Sequence, residues 1–302
     1  MDAPPSLLAK TTRAIVGVHS SIPPEHVSVA IGLGTDRRGT GTIVSPDGLI
    51  LTAHYLLLGA QQAIVTLPGG EQTEAKIVGR DYGTGLGLLK IAGARLPCVE
   101  VIASDRCATG QEVFTVSSLG GEKRCADCGV ITYLGAFDAV WEFVLERCVC
   151  VTAPSLGIGL SGGPICDTQG RAIGVAYLNF ADLGRAILGI PGECFLAARD
   201  ELIEHGRRVS APPRAWLGVL SYTMHEHVVI AGVMPGTPGE KAGLQQGDLV
   251  LELDGCEVSE RRALYDAVRK HRPGDAIALK LLRNNRAVDL VAAAGRAEDY
   301  FA

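Results

Sequence analysis

Short runs of alternating or β-branched residues follow one another closely along the first two-thirds of the chain. Turn residues separate them, as in Ser45–Gly48 and Pro68–Gly70. Many short strands at close spacing are typical of a β-sandwich or a β-barrel. A short helix is predicted at Arg199–His205. The predicted strands are Ala14–Val18, Thr40–Val44, Leu49–Thr52, Ala63–Leu67, Glu74–Val78, Leu86–Ile91, Val113–Val116, Gly129–Tyr133, Val140–Leu145 and Ala172–Tyr177.

The pattern changes after a polar stretch at residues 206–214, which contains two adjacent prolines. Pro-Pro is extended and semi-rigid, so this stretch is the predicted linker. A smaller unit follows, with strands predicted at Leu217–Ser221, Val228–Val233, Leu249–Leu253, Ala276–Leu282 and Ala287–Val291, and helices at Gly239–Ala242 and Glu260–Lys270. The predicted boundaries are an N-terminal tail 1–11, a first domain 12–205, the linker, a second domain 215–294 and a C-terminal tail 295–302.

Composition narrows the class of protein. The 302 residues are 47% hydrophobic and 20% charged, with 38 glycines, which suits a packed protein with many turns. The formal net charge is −5. The basic pairs Arg37-Arg38 and Arg207-Arg208 are interpreted as solvated surface, so no nucleic-acid partner is expected. No apolar run reaches the length of about 18 residues that spans a bilayer, so no membrane span is expected either.

Cysteine usage bears on the compartment. The chain has nine cysteines, an odd number, scattered through the predicted strands. Its first residues do not combine a basic start, an apolar core and a small-residue cleavage site, the pattern of a secretory signal. Both observations favour a reducing compartment, and the protein is expected to be cytoplasmic.

The strongest chemical motif is residues 159–164 (GLSGGP). Glycines around a serine let the backbone amides of Gly159 and Ser161 form a nest for a developing oxyanion while the hydroxyl projects into a cleft. This hexapeptide resembles the nucleophile loop G-x-S-G-G-P of trypsin-like serine proteases. Taken alone it is also compatible with a structural glycine turn.

Other motifs resemble one family, the HtrA serine proteases. Residues 39–52 (GTGTIVSPDGLILT) and 59–70 resemble its first-barrel signature. In the second unit the similar stretches are Trp216–Val219, Pro235–Pro238, Lys241–Leu244, Gly247-Asp248 and Asp254-Gly255. The resemblance implies an all-β double β-barrel of the chymotrypsin/trypsin-like class, followed by an α+β PDZ domain.

The resemblance places the catalytic positions residue by residue. Residues 51–60 (LTAHYLLLGA) match both flanks of the family's base motif without a gap, and this register puts Tyr55 at the base position. Residues 84–91 put Gly85 at the acid position, and Ser161 keeps the nucleophile. A Tyr hydroxyl has an ordinary pKa near 10 and glycine orients nothing, while losing a triad base costs about a millionfold in turnover. The chain is therefore expected to be proteolytically inactive.

An active peptidase is the alternative, with His54 as the base one residue earlier. In a helical turn neighbouring side chains point about 100° apart, which directs His54 away from Ser161. Asp81 is interpreted as a turn acid rather than a substitute acid. The family's pocket strand is aligned here with Gly192–Ala198, whose sequence differs. The change expected to restore a base and its orienting acid is Tyr55→His together with Gly85→Asp.

The PDZ resemblance implies a peptide-binding loop at Leu217, Gly218 and Val219. PDZ domains bind a C-terminal peptide as an added strand, and loop amides capture its carboxylate. The groove is expected between the next strand and helix Glu260–Lys270. Protein or peptide C-termini are the expected partners, which makes the chain an adaptor or regulator; the alternative is a PDZ domain used only for packing or dimerisation.

Four cysteines are brought near one hairpin by the predicted strands: Cys125, Cys128, Cys148 and Cys150. Zinc binding and a redox disulfide are open alternatives, but the spacing is unlike a zinc ribbon, and buried free thiols are favoured. No cofactor is expected. The family often forms trimers through aromatic N-terminal residues, and residues 1–30 contain none. A monomer or weak oligomer is expected, and a trimer only by family resemblance.

Overall fold

The computed structural model describes residues 5–118, 123–139, 141–153, 159–180 and 185–301. The chain divides into two compact units. The first contains Met1–Ala136 and Leu145–Ser210, and the second contains Phe137–Val144 and Ala211–Ala302. The short segment Phe137–Val144 therefore groups with the C-terminal residues, although it lies in the middle of the sequence.

The first unit begins with a closed antiparallel barrel. Among the described residues its order is β1-β2-β3-β6-β5-β4, and β4 pairs back onto β1. The strands are β1 (Ile15–Ser21), β2 (Asp36–Ile43), β3 (Leu49–Ala53), β4 (Ala63–Thr66), β5 (Gln72–Asp81) and β6 (Leu86–Lys90). Strand β3 is buried along its whole length, as its uninterrupted apolar run predicts. It leads directly into the turn that contains His54 and Tyr55.

A second closed barrel completes this unit. Within the described ranges its order is β10-β11-β12-β9-β8-β7, and β10 pairs with β7. The strands are β7 (Glu112–Ser118), β8 (Arg124–Asp138), β9 (Val144–Thr152), β10 (Pro164–Cys166), β11 (Ala172–Phe180) and β12 (Ala186–Pro191). Apolar side chains from these strands fill its interior, including Val113, Ile131, Val149, Ile165 and Ile187. Ser161 lies just before β10.

Two helices of the first unit differ from the sequence-based expectation. Helix α1 (Pro5–Thr12) forms where a tail is predicted. Helix α2 (Gly192–His205) is seven residues longer at its start than the predicted helix. The assignment of Gly192–Ala198 to the pocket strand is wrong. The buried positions Phe195, Ala198 and Leu202 recur every three to four residues, which is helical spacing, and β12 immediately before them supplies the strand.

The strand predicted at Val140–Leu145 is also misplaced. Strand β9 begins at Val144 and runs to Thr152, and residue 140 lies outside the described residues. Strands β10 and β12 were not predicted from the sequence at all. Strand β10 has only three residues, too few for a periodic signal. The prediction of a double β-barrel is nevertheless confirmed, because the strands of the described residues close into two barrels.

The second unit is an α+β fold, as predicted. Its sheet order is β13-β14-β15-β17-β18, with β16 paired to β15. The strands are β13 (Val219–Met224), β14 (His227–Val233), β15 (Leu249–Leu253), β16 (Cys256–Glu257), β17 (Ala276–Arg283) and β18 (Arg286–Ala293), and the helices are α3 (Pro238–Ala242), α4 (Arg261–Val268) and α5 (Ala297–Tyr300). Helix α4 buries Leu264, Tyr265 and Val268 in the core of this sheet.

The C-terminal residues pack rather than extend as a tail. Trp216 and Gly295 exchange two backbone hydrogen bonds of 3.1 and 2.9 Å. The Trp216 ring centroid lies 5.2 Å from that of Tyr300 and 6.0 Å from that of Phe301. These contacts anchor the residues that lead into β13, where the predicted peptide-binding loop begins.

One buried ion pair stabilises the second unit. Arg283 donates from Nε and Nη2 to the two carboxylate oxygens of Asp248, at 2.6 and 2.7 Å. The Asp248 side chain is 0% exposed and also accepts from the Gln245 amide at 2.8 Å. Removing Asp248 takes the acceptor from the Arg283 guanidinium, whose side chain is 22% exposed, and from the Gln245 amide.

Asp248→Ala should therefore lower the free energy of unfolding of this unit by about 1.5–3 kcal/mol, the range for lost hydrogen bonds to a charged group. Urea denaturation followed by tryptophan fluorescence measures this, because Trp141 and Trp216 both belong to the second unit. The matched control is Asp289→Ala, at an exposed position of β18, with an expected effect within about 0.5 kcal/mol. Equal effects of the two changes would show that the Asp248–Arg283 pair does not stabilise this unit.

Candidate active site

The turn after β3 is held by two arginine side chains. His54, Tyr55 and Leu56 form one turn of 3-10 helix. The Arg37 guanidinium donates to the carbonyls of Tyr55 and Leu58, at 2.7 and 2.9 Å, and burial lowers the pKa of Arg37 to about 10. The interpretation of Arg37 as solvated surface is wrong: it is only 4% exposed, because it satisfies carbonyl groups of a buried turn.

Arg80 has the same role on the other side of this turn. It donates to the Leu57 carbonyl at 2.8 and 3.1 Å and to the Ala60 carbonyl at 3.3 Å. Two side chains of the first barrel, from β2 and β5, thus fix the backbone that presents Tyr55. A one-residue slip of this turn would require these hydrogen bonds to break.

Ser161 uses its only proton in a bond to the backbone. Its Oγ donates to the carbonyl oxygen of Tyr177 at 3.1 Å, and a carbonyl oxygen can only accept. Burial raises the pKa of Tyr55, the residue at the base position. The Tyr55 hydroxyl therefore keeps its own proton at neutral pH, whereas a general base takes one.

Gly85 has no space for a side chain. Its φ is +86°, and a Cβ built there lies 2.8 and 2.9 Å from two ring atoms of Tyr177. The Tyr177 ring fills the volume where an acid at this position would stand. Asp81 closes the preceding turn, accepting from Gly83 N at 2.9 Å and Thr84 Oγ1 at 2.7 Å, so Asp81 is a turn acid, as the sequence predicts.

His54 is buried beside the same tyrosine. Its Nδ1 lies 3.2 Å from the Tyr177 hydroxyl, and the two rings stack with centroids 5.9 Å apart. Burial lowers the pKa of His54 to about 3, and the charges of Arg80 and Arg37 act in the same direction. The imidazole is therefore neutral at physiological pH, and its hydrogen-bond partner is Tyr177.

Tyr177 was missed in the sequence analysis. It was identified only as the last residue of a predicted strand, yet it contacts Tyr55, His54, Gly85 and Ser161. A large aromatic residue on a strand that follows the nucleophile, together with a glycine at the acid position, could have indicated this role. The ring of Tyr177 occupies the space that the missing side chain at Gly85 leaves.

The predicted oxyanion nest is held by strand β2. Gly159 has φ +76°, and its carbonyl accepts from Thr40 Oγ1 at 2.6 Å. The Ser161 carbonyl accepts from the Thr40 amide at 2.8 Å. Residues 154–158, which lead into this loop, lie outside the described residues. Thr40 thus fixes the described end of the loop on both sides of Leu160.

The predicted peptide-binding loop already contacts a carboxylate. The amides of Leu217, Gly218 and Val219 donate to the side chain of Glu142, at 3.2, 2.7 and 3.1 Å. Burial raises the pKa of Glu142 to about 7, although the three amides and Arg269 oppose this shift. Glu142 belongs to the segment Phe137–Val144 of the second unit. Sequence analysis missed it, because no local pattern links residue 142 to residue 218.

The cysteines are all free thiols. Cys148 and Cys150 are neighbours on β9 with sulfur atoms 3.6 Å apart, while Cys125 and Cys128 lie on β8. The hydrogen bond to Cys150 raises the pKa of Cys148. Across the described ranges, no three or more His, Cys, Asp or Glu side chains come together as metal ligands. The zinc alternative thus gains no support from the described geometry.

Comparison with known proteins defines the class. Residues 39–175 match the family model "Trypsin-like peptidase domain", and residues 215–292 match "PDZ domain". A probable periplasmic serine endoprotease DegP-like of Chlamydia trachomatis is 30% identical over 84% of this chain and 53% of its own length. Serine endoprotease DegS of Haemophilus influenzae is 27% identical over 83% of this chain and 75% of its own length.

Solved structures agree with these matches. The HtrA-type protease AlgW with tripeptide superposes with a TM-score of 0.59 at 28% identity, covering 96% of this chain and 95% of that one. This chain is therefore a homologue of the HtrA-type serine proteases, with a trypsin-like peptidase domain followed by one PDZ domain. It spans about half the length of the first DegP-like relatives it matches.

The expectation of a cytoplasmic protein is wrong. Several relatives carry names that place them in the periplasm. An odd number of cysteines is a weak guide to compartment, because burial raises the pKa of thiols such as Cys166 and Cys194 and makes them unreactive. In the part of the chain that the structure describes, no helix is long and apolar enough to cross a membrane.

The contact between Gly85 and Tyr177 makes a quantitative prediction. Gly85→Asp should lower the free energy of unfolding by about 2–4 kcal/mol, because it adds atoms to a filled space at a positive φ. In a Tyr177→Ala background the same change should cost less, with a coupling energy of about 1–3 kcal/mol. Chemical denaturation of the four variants of this cycle measures the coupling. Additive effects would mean that the ring does not occupy the acid's volume.

Proposed function

We propose that this chain is a proteolytically inactive HtrA-type homologue that acts as an adaptor or regulator by binding protein or peptide C-termini through its PDZ domain. One observation carries the first part of the proposal. The Ser161 proton is donated to the Tyr177 carbonyl, and Tyr55, at the base position, keeps its own proton because burial raises its pKa. Acyl transfer requires the opposite arrangement, a base that accepts the serine proton.

The size of the expected loss supports inactivity rather than reduced activity. Removing a triad base typically lowers turnover about a millionfold, and losing further members adds little because they act together. Gly85 supplies no acid, and the ring of Tyr177 excludes one. Ser161 is then an ordinary alcohol in a glycine-rich loop.

The alternative, an active endopeptidase with His54 as base, is disfavoured by the same geometry. The Nδ1 atom of His54 is hydrogen-bonded to Tyr177, and the low pKa of about 3 gives its imidazole little affinity for a proton. A general base works best with a pKa near the operating pH.

The binding part of the proposal rests on the loop before β13. The amides of Leu217, Gly218 and Val219 converge on one carboxylate, which is the capture mode of PDZ domains. The AlgW structures that this chain resembles are described with a tripeptide or a decapeptide. A peptide would add as a strand between β13 and α4. Use of this domain only for packing is the competing hypothesis.

Compartment and assembly belong to the same proposal. The names of the relatives support a periplasmic location for this chain. We expect a monomer or a weak oligomer, because residues 1–30 carry no aromatic side chain for the N-terminal contacts that the family resemblance implies. Multi-angle light scattering at micromolar concentration should give the mass of one chain. A stable trimer mass would overturn this expectation.

Activity can be tested directly. The purified chain should neither cleave unfolded casein nor react with a fluorophosphonate probe above the level of a Ser161→Ala control, since labelling requires an activated hydroxyl. Casein cleavage that is abolished by Ser161→Ala and by His54→Ala, but unchanged by Tyr55→Phe, would refute inactivity. It would also identify His54 as the base.

Restoration should require three changes rather than two. Tyr55→His with Gly85→Asp returns a base and an acid, but the acid then collides with the Tyr177 ring. Adding Tyr177→Ala makes room, so the triple variant should label with fluorophosphonate faster than the double variant. The same three changes in a Ser161→Ala background are the control. Equal labelling of the double and triple variants would show that Tyr177 is no obstacle.

A further inference from the structure

The second unit contains both a carboxylate and the loop that holds it. Glu142 lies in the segment Phe137–Val144, which joins β8 to β9 in the sequence but groups with the PDZ residues. One carboxylate oxygen accepts from Leu217 N, and the other accepts from Gly218 N and Val219 N. All three amide donors of the loop are used by this one side chain.

We propose that Glu142 is an internal ligand of the peptide-binding loop, which an incoming peptide C-terminus must displace. This inference rests on the proposed peptide-binding function. Three amides that converge on one carboxylate cannot serve a second one at the same time. Glu142 and the terminal carboxylate of a peptide therefore compete for the same donors.

Other contacts keep Glu142 at the loop. Arg261 donates to the Asp138 carboxylate at 2.5 Å and to the Asp138 carbonyl at 2.8 Å. Arg269 donates to the Glu142 carbonyl at 3.3 Å, and Val144 packs in the core of the second unit. A carboxylate fixed in this way acts at high effective concentration, so a weak peptide cannot replace it.

The backbone of Glu142 is consistent with an imposed conformation. Its φ is +61°, in the left-handed region that residues with a Cβ rarely adopt. The hairpin is closed beside it by a 2.7 Å hydrogen bond from Ala139 N to the Phe143 carbonyl. Surrounding contacts thus hold a conformation that the residue does not favour.

Protonation weakens this internal ligand. Glu142 has a raised pKa of about 7, whereas a peptide α-carboxyl has an ordinary pKa of about 3.3–3.7. The groups that face Glu142 are Tyr265 of α4 and Arg269, the residue just after α4, and Arg261 is paired with Asp138. As pH falls from 8 to 6, Glu142 loses its charge while the peptide keeps its own. Peptide binding should therefore strengthen.

A binding experiment separates the two carboxylates. Decapeptides with free C-termini are selected from a displayed library on the full-length Glu142→Ala chain, and the best one is synthesised as free acid and as amide. Fluorescence anisotropy then gives its Kd for the wild-type, Glu142→Ala and Glu142→Gln chains. The matched control is Glu257→Gln, at an exposed position of the same unit.

The expected result is a free-acid Kd about tenfold or more lower for Glu142→Ala than for wild type, since the apparent Kd is the intrinsic one divided by the open fraction. Glu257→Gln should match wild type, and the amide should bind none of them. Wild-type affinity should rise severalfold from pH 8 to pH 6, and that of Glu142→Gln should not. Equal Kd values for wild type and Glu142→Ala overturn the inference but leave peptide binding intact.

Failure of every chain to bind any peptide has a different meaning. It refutes the proposed peptide-binding function. The contact between Glu142 and the loop amides is then tested without a peptide. Amide hydrogen exchange at Leu217, Gly218 and Val219, followed by NMR, should be faster in Glu142→Ala than in wild type and Glu257→Gln. Unchanged exchange rates overturn the inference.

Discussion

The state of the active site depends on one residue, Tyr177, through its carbonyl, its ring and its hydroxyl. Its carbonyl accepts the Ser161 proton at 3.1 Å, and its ring fills the space beside Gly85 where an orienting acid would stand. Its hydroxyl also meets the Nδ1 atom of His54. The nucleophile, the acid position and His54 thus all contact Tyr177, which is 3% exposed.

The scaffold around the triad positions is held by contacts that do not involve the triad side chains. The turn at His54 and Tyr55 is held by Arg37 and Arg80 through backbone carbonyls, and the nucleophile loop is held by Thr40. These hydrogen bonds involve main-chain atoms and do not depend on which side chains occupy the triad positions. The barrels can therefore keep this scaffold whichever residues stand at the triad positions.

Local patterns in the sequence predicted much of the fold and part of the site. Ungapped flanks placed Tyr55, Gly85 and Ser161, since motif register is a local property. Tyr177 and Glu142 could not be found in this way, because their roles arise from contacts between residues far apart in the sequence. Tyr177, on a strand of the second barrel, meets Gly85 and His54 of the first, and Glu142 meets the amides of residues 217–219. The run 192–198 was misassigned because a short apolar stretch fits a strand and a buried helix face equally well.

Both sites share one principle: a group from the same chain occupies the place that a functional group or ligand would take. Tyr177 fills the acid's volume, and Glu142 uses the amides that a peptide carboxylate would use. The first substitution is packed into a barrel core, where rearrangement is costly. The second involves a carboxylate on a hairpin with a pKa of about 7, which ordinary changes of pH can neutralise.

The protonation state of His54 tests most directly whether Ser161 has a base. NMR of ¹⁵N-histidine-labelled chain can follow the imidazole of His54 from pH 8 to pH 5, with Ser161→Ala and Tyr177→Phe as comparison variants. The account predicts a neutral ring throughout, because its pKa is about 3, and ring nitrogen shifts that change in Tyr177→Phe but not in Ser161→Ala. Titration of His54 between pH 6 and pH 8 that is altered by Ser161→Ala would contradict it.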